Sequence, residues 1–566
     1  MLNFIKNKIY QNYNYLMFIP VSFNFIYNYT AVPYLISHYI NTKLNIINVL
    51  TINWFVIFTI YILLSVILFF NKQTFKYSYV YWSLIVTIVL QLLISIVLLI
   101  YNVQVILDTN ITIRTSGIVW KPFTFKLDAL ALNFIITVYL IGFGVSLYQC
   151  FYIEDSYHKN RFIITLNWFI ISMILVVISY NWILLLLSWE MLGQTSFFLI
   201  GFFKIKISAF KSALKAFFYN RISDLLLLLA FLINLKQTNT SDIIQVDFIN
   251  TNLQLVGLLI TVTALIKSAQ FFFFFWLPDS MEAPIPASAL IHSATLVSAG
   301  FYIILRHINY IETCSFTKNI LFISSLFSMI IFSLIASTQT DLKKLLAYST
   351  ISNCAFIYLL ITFNLYNLAI LYFTTHGLLK SLSFMIGGLL IRDFNHYQDT
   401  RNWYIKTSKE INLLIMLSIS VLMLATLPFF TSYDIKSNLN LLNLSTSYTD
   451  VTVKLLLIFY TLNSYNYGIK LPLLLFFKKN PYNKNIISFN DYTNFLVLYI
   501  IFFVYFSFII VLFTFYKIQN FDLITLYTSL NPLFILFFIN IIFIKIKVKK
   551  DILLLLLFIP AIFILI

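Results

Sequence analysis

Apolar stretches longer than about 18 residues recur from one end of the chain to the other, each long enough to cross a hydrocarbon core of roughly 30 Å as a helix. They fall at roughly 15–40 (interrupted), 46–70, 79–101, 128–152, 162–179, 181–203, 213–235, 253–275, 285–305, 319–338, 343–363, 366–391, 411–430, 452–476, 491–516, 525–544 and 551–566. The pattern predicts an all-α polytopic membrane protein of about fifteen to seventeen transmembrane helices. Runs such as Ile183 to Leu187 and Leu553 to Phe558 leave no polar face for a barrel lumen, which sets β-barrel architecture aside. The segment from Asn102 to Lys126 alternates weakly, as a strand would. No linker rich in Gly, Ser or Pro divides the chain, so the first 476 residues are expected to form one membrane domain, with N-terminal helices and an outer-side loop at 1–127 and a core at 128–476, followed by C-terminal helices at 477–566 as a looser appendix.

Composition sharpens this picture. Charged residues are 10% of the chain and hydrophobic ones 61%, where a soluble domain carries roughly 25% charge. The net charge of +17 does not point to nucleic acid, because the cations sit mostly between apolar runs and read as topology signals. Lys and Arg gather after the even-numbered runs, at 71–78, 155–161, 204–215, 392–410, 478–484 and 545–550, which assigns those loops to the inner compartment and 102–126 to the outside. Cys150, Cys314 and Cys354 form no CxxC or His/Cys cluster, so no disulfide framework, zinc site or iron–sulfur site is expected, and no metal. Lys far outnumbers Arg, and Phe, Tyr, Ile and Asn are abundant, as an AT-rich, organelle-encoded gene dictates. The N-terminus shows no Arg-rich presequence, in keeping with synthesis inside the organelle.

A charge at a helix centre costs roughly 2.5 to 3.5 kcal/mol on insertion scales, so each one needs a partner, a wet cavity or a task. Glu190, in NWILLLLSWEMLGQTSFFLIGFF, lies too deep for a short carboxylate to reach the interface; the plain alternative is a carboxylate satisfied by a neighbouring helix. Arg221 and Asp224 are three apart, share a helix face and form a supporting ion pair. Lys267, in LLITVTALIKSAQFFFFFWLP and more than ten residues into the apolar run at 253–275, either needs a carboxylate partner or gives up its proton readily, which makes it a relay candidate. Its helix runs into Pro278, Pro284 and Pro286, which predicts a break there. His292 follows, alone and as readily a packing residue as a functional one. Then come Lys343, beside Lys344, which snorkels as lysines near helix ends do, and His376 with Lys380, four apart on one stripe. Pro428 stands eight residues before Lys436, a second lysine on a proline-disrupted helix, as in transporters built from repeats. Interior groups that are mostly Lys, His and Glu suit protons rather than a hard metal cation.

These residues carry a family resemblance. WEMLGQTSFFLIGFF, ALKAFFYNRISDL, KSAQFFFFFWLPDSMEAPIPASALIHSATLVSAG, TQTDLKKLLAYSTIS and THGLLKSLSFMIGG follow one another as in subunit 5 of mitochondrial NADH dehydrogenase, respiratory complex I, an antiporter-like family. KLDALALNFI and FNHYQDTR also look like that subunit, and the resemblance runs from about Phe125 to Lys436. It implies an antiporter-like core of two inverted five-helix repeats with two broken helices, pumping protons in the mitochondrial inner membrane. Glu190 and Lys267 resemble an interacting pair, with Arg221 and Asp224 close by. His292, Lys343, His376, Lys380 and Lys436 resemble a hydrated axis. It also implies no redox cofactor in this chain, with FMN, iron–sulfur clusters and ubiquinone elsewhere in the complex. The implied partners are other membrane-arm subunits, above all the adjacent antiporter-like subunit 4, with accessory subunits and lipids. The chain departs from the family at Ser437, where Asp is usual and Asp434 stands nearby, and after 476, where two or three ordinary apolar runs stand in place of the long lateral helix and its anchoring span, so that this helix is expected to be shortened, lost or supplied by another polypeptide. A multisubunit cation/proton antiporter shares the same core motifs and is the alternative; a non-pumping structural remnant is a weaker rival, since each buried charge is costly to place.

Overall fold

The computed structural model describes residues 49–67, 77–108, 113–115, 118–120, 123–152, 159–203, 206–238, 240–243, 251–312, 314–403, 408–424 and 448–477, with the single positions Ser432, Ile435, Lys436, Ile501 and Tyr505. The expected runs at 15–40, 525–544 and 551–566, the lateral helix, and Pro428, Asp434 and Ser437 lie outside them, as does 491–516 save for Ile501 and Tyr505. The chain divides into two compact units, Met1–Ile57 and Phe58–Ile566, the second of which carries the chemistry.

Ten helices among the described residues are long and apolar enough to cross a membrane. In order, the helices are α1 (Val49–Ile67), α2 (Tyr77–Ile100), α3 (Ala129–Tyr152), α4 (Lys159–Ile178), α5 (Trp182–Ile200), α6 (Ile207–Thr238), α7 (Thr251–Lys267), α8 (Trp276–Asp279), α9 (Ile285–Ile291), α10 (Leu296–Arg306), α11 (Ile308–Glu312), α12 (Ser315–Thr338), α13 (Leu342–Thr362), α14 (Tyr366–Asp393), α15 (Ser408–Leu424) and α16 (Tyr448–Phe477). The alternating segment forms two short antiparallel pairs: β1 (Val105–Asp108) with β4 (Thr124–Leu127), in register Val105 to Leu127, and between them β2 (Ile113–Thr115) with β3 (Ile118–Trp120).

Burial sorts the spans. In the 285–306 span the apolar window is 100% inside the protein, and in α13 and α14 it is 94%, whereas α6 reaches only 33%. A helix buried all round is a core helix, and here the core helices carry His292, Lys343, His376 and Lys380. Hydroxyls in these helices bond back to carbonyls one turn earlier, as Ser383 Oγ does to Lys380 O at 2.8 Å and Thr350 Oγ1 to Ala347 O at 2.6 Å. They therefore bring polar atoms inside without leaving them unsatisfied. An aromatic layer on α3, α10 and α14 fills the middle: Phe134 stacks on Phe373 with centroids 4.4 Å apart and meets Tyr302 edge-on at 5.0 Å.

Candidate functional site

Lys267 is the last residue of α7, and the helix stops there for a backbone reason. Ala269 sits in the left-handed region at φ 53°; its N–H bonds Ile266 O at 3.1 Å, and the N–H of Gln270 bonds Leu265 O at 2.9 Å. This paired closure is the Schellman helix end, usually reserved for glycine at the left-handed position. Phe272 is left-handed as well, at φ 77°. The freed polar groups find side chains: Trp276 Nε1 donates to Ile266 O at 3.1 Å, and Gln270 Nε2 to Ser268 O at 2.9 Å. The break expected at the prolines therefore precedes them. Pro278 lies inside α8, Pro284 caps α9 and Pro286 stands in its first turn, where a missing N–H is harmless.

A second interruption falls inside the run read as one helix from 285 to 305. His292 caps α9, and α10 begins only at Leu296, after Thr295 with φ −114° and ψ −86°. Thr295 Oγ1 donates to Leu290 O at 2.9 Å across the gap. His292 thus occupies a helix discontinuity in the core.

The site residues assemble in two groups. In the first, Arg221 Nη1 lies 2.7 Å from Glu190 Oε1 and 3.6 Å from Asp224 Oδ2, with the guanidinium over the Phe217 ring at 4.8 Å. Glu190 therefore pairs with Arg221 rather than directly with Lys267, and Arg221 serves two carboxylates rather than Asp224 alone. Lys267, fully buried, donates to Trp189 O at 3.4 Å and lies 4.9 Å from the Trp189 ring centre. A desolvated cation over an indole face gains about 2 kcal/mol. The carboxylate whose field attracts this ammonium is Asp224, with the Arg221 charge opposing it. Gly193 lies beside both: a Cβ there would stand 3.5 Å from Lys267 Nζ and 3.4 Å from Asn220 Cβ, ordinary van der Waals contact.

The second group runs through the core. Lys343 Nζ donates to Met281 O at 3.1 Å and Ala283 O at 3.3 Å, the carbonyls of the turn between α8 and α9. His292 Nε2 lies 3.3 Å from Ser280 Oγ, its ring stacks on Phe384, and it is within electrostatic reach of Lys380 and Lys343. Lys380 Nζ donates to Ser349 Oγ at 2.5 Å and Leu346 O at 3.2 Å. His376, 1% exposed and one turn earlier, has neither ring nitrogen bonded to protein and lies within reach of Lys380 and Lys436. Lys436 Nζ donates to Leu424 O, the last residue of α15, at 3.1 Å, and lies 4.9 Å from the Tyr460 ring centre. Tyr358 OH joins the groups, donating 2.8 Å to Ser268 Oγ, next to Lys267, from the helix that holds Lys343.

Neutral residues that the charge pattern did not single out complete the row. Asn353 Oδ1 accepts from Tyr372 OH and from Tyr460 OH, both at 2.8 Å, while its Nδ2 donates to Ser349 O at 2.7 Å. Asn353 thus sits between the partner of Lys380 and the ring beside Lys436. Their signal was one of placement, an Asn one helical turn from a Ser within an otherwise largely apolar run, in a chain where Asn and Tyr are common everywhere. Among the described residues no set of three His, Cys, Asp or Glu groups could hold a metal ion.

Comparison with known proteins bears on this arrangement. The family described as NADH:quinone oxidoreductase/Mrp antiporter, TM, matches residues 179–462, half of the chain. NADH-ubiquinone oxidoreductase chain 5 of Paramecium tetraurelia is 39% identical over 332 residues, covering 56% of this chain and 58% of that one, so the match spans less than two thirds of that relative's length. Among solved structures, the Mrp complex from Dietzia sp. superposes with a TM-score of 0.62 at 22% identity, over 75% of this chain and 47% of that one. The membrane-bound sulfane sulfur reductase, an archaeal respiratory membrane complex, superposes with a TM-score of 0.69 at 16% identity, over 80% of this chain and 94% of its counterpart.

Proposed function

The chain belongs to the NADH:quinone oxidoreductase/Mrp antiporter transmembrane family, and from that premise we propose that it is a proton-translocating membrane-arm subunit of respiratory complex I in the mitochondrial inner membrane. Its working core is residues 128–476. It takes part in proton-translocating NADH:ubiquinone reduction without a redox centre of its own; FMN, iron–sulfur clusters and ubiquinone belong to other subunits.

One observation carries the reading. Lys267, Lys343 and Lys380 are each buried, none has a carboxylate within ion-pair distance among the described residues, and each ammonium is held by carbonyl or hydroxyl oxygens. Neutral oxygens solvate the ammonium without the full opposite charge by which a tight salt bridge would favour its protonated form. The coupling starts at the other end of Arg221. A change of charge near Glu190 redistributes Arg221 between Glu190 and Asp224, and Asp224 in turn sets how firmly Lys267 holds its proton. Two charges about 4 Å apart interact by about 4 kcal/mol at an effective dielectric near 20, the scale on which Arg221 is held by one carboxylate or the other. Once released, the proton passes along the row from Lys343 and His292 through Lys380 and His376 to Lys436.

The same cluster indicates a neighbour. Glu190 and Arg221 are 43% and 33% exposed, in the middle of spans whose flanking positions Leu187, Phe198, Phe218 and Leu225 are exposed too. Charges half-open at mid-membrane depth are poorly placed against lipid, so this face meets another protein, and the adjacent antiporter-like subunit 4 fits. The deciding experiment is proton uptake per electron in liposomes holding the purified complex with Lys267→Ala. Assembly and NADH:quinone electron transfer should survive while pumping falls at least about tenfold; unchanged pumping would reduce the chain to a scaffold. The likeness to the Mrp complex supports a second reading, a subunit of a multisubunit cation/proton antiporter. Ion exchange by the chain's native assembly in the absence of any quinone reductase would favour it.

A further inference from the structure

A cavity of about 170 Å³, far more than one water needs, lies away from the proton row, where the ends of several spans meet; it is lined by Lys126, Asp128, Tyr180, Arg306, His307 and Tyr310, among others. Arg306 ends the span that carries His292 at its internal break, and the aromatic pair Phe301 and Tyr302 stands between them along α10. The charged groups are graded in depth: the Lys126 side chain is 23% exposed, Asp128 15% and Arg306 6%. Asp128 Oδ2 accepts from Arg306 Nη1 at 2.5 Å and lies 3.3 Å from Lys126 Nζ. Burial works against ionisation of Asp128, yet the Arg306 guanidinium, the Ala131 N–H and Lys126 together hold its carboxyl below the usual carboxylate range. One carboxylate therefore faces two cations, leaving an excess of one positive charge.

Two buried side chains at the floor are incompletely bonded. Arg306 keeps Nε and Nη2 without a partner, although a guanidinium buried this deeply normally bonds on all its edges. His307, 1% exposed, has Nδ1 at 2.9 Å from Ile303 O. A carbonyl only accepts, so Nδ1 carries the hydrogen and Nε2, which has no partner, is an acceptor. The floor thus offers a cationic fork beside a neutral acceptor. It asks for a group with anionic oxygens for Arg306 and Lys126 and a hydroxyl for His307.

We infer that this cavity binds a phosphate group that carries or adjoins a hydroxyl, with Arg306 and Lys126 as its cationic partners and His307 Nε2 accepting from the hydroxyl. Planar guanidinium forks match phosphate oxygens in pairs. The cavity lies level with span ends at Ala129, Ile178, Trp182 and Arg306, the height of lipid head groups. Two sources share this chemistry: the head group of an anionic phospholipid with free hydroxyls, such as phosphatidylglycerol, and inorganic phosphate.

The test uses the full chain in its native assembly, stripped of lipid and returned to phosphatidylcholine nanodiscs with a rising fraction of phosphatidylglycerol, or with inorganic phosphate. Bound phosphorus is read by native mass spectrometry and phosphorus NMR, with the difference between wild type and variants assigned to this cavity. Lys126→Gln should weaken binding about tenfold and Arg306→Gln should abolish it. Because Arg306→Gln also strips Asp128 of its main partner, Lys126→Gln, which leaves that pair intact, keeps the test open if the other variant does not assemble. A variant-sensitive site filled by phosphatidylglycerol assigns the lipid source; one filled by inorganic phosphate assigns the free anion. No phosphorus bound by wild type under either condition, or equal binding in wild type and both variants, overturns the inference.

Discussion

A lysine ammonium ringed by neutral oxygens is the repeating unit of this protein, and its consequences are sharpest at Asn353. Two tyrosine hydroxyls converge on its Oδ1. Asn353→Leu should strip both buried hydroxyls of this shared acceptor, destabilising by about 1–3 kcal/mol. Asn353→Asp keeps the acceptor but adds a negative charge between Lys380 and Lys436, which should trap protons on them; turnover coupled to pumping should fall while assembly, followed by native electrophoresis, stays intact. Equal pumping by Asn353→Asp and wild type would remove Asn353 from the path. At this scale the sequence was informative about ions and mute about their neutral partners. Glu190, Lys267, Lys380 and Lys436 stand out because a charge in an apolar run is conspicuous, whereas Asn353, Tyr372 and Tyr460 are ordinary members of an Asn- and Tyr-rich chain. That Arg221 and not Lys267 holds Glu190 was also out of reach, since it depends on how α5 and α6 are rotated against each other.

Among the elements, hydropathy located the described spans well because length and apolarity are all a span requires. The helix breaks were harder to read. Proline drew attention to residues 278–286, but α7 ends at Lys267 through the left-handed Ala269, for which no local residue type gives warning. Glycine is the residue that fits such a position, so Ala269→Gly should slow thermal inactivation of the assembled protein, a gain of up to about 1 kcal/mol. Gly300 makes the opposite case. A Cβ there would meet Ala264 O and Tyr358 OH, each at 2.6 Å, and Tyr358 is the hydroxyl that reaches Ser268 beside Lys267. Gly300→Ala should therefore push α10 off α7, destabilising by about 1–3 kcal/mol, and should lower pumping before it lowers electron transfer, as proton uptake measured beside NADH oxidation would reveal.

For the molecule as a whole, the informative surface is the flank of α5 and α6. Leu225, 63% exposed, lies one turn beyond Arg221, and Leu225→Arg should leave this chain folded in the bilayer yet reduce its recovery in the large assembly, scored by native electrophoresis. Normal recovery would mean that this flank faces lipid. If a neighbour does sit there, the Arg221 fork decides what it can transmit. A single guanidinium shared by two carboxylates behaves as a balance beam: an anion that draws Arg221 outward lightens its hold on Asp224 and frees that charge for Lys267, and neutralising Glu190 tips the beam inward. A negative charge delivered at the flank therefore arrives at Lys267 as a negative charge, and its removal as a removal: the beam carries the sign inward unchanged, although no ion crosses between the two carboxylates.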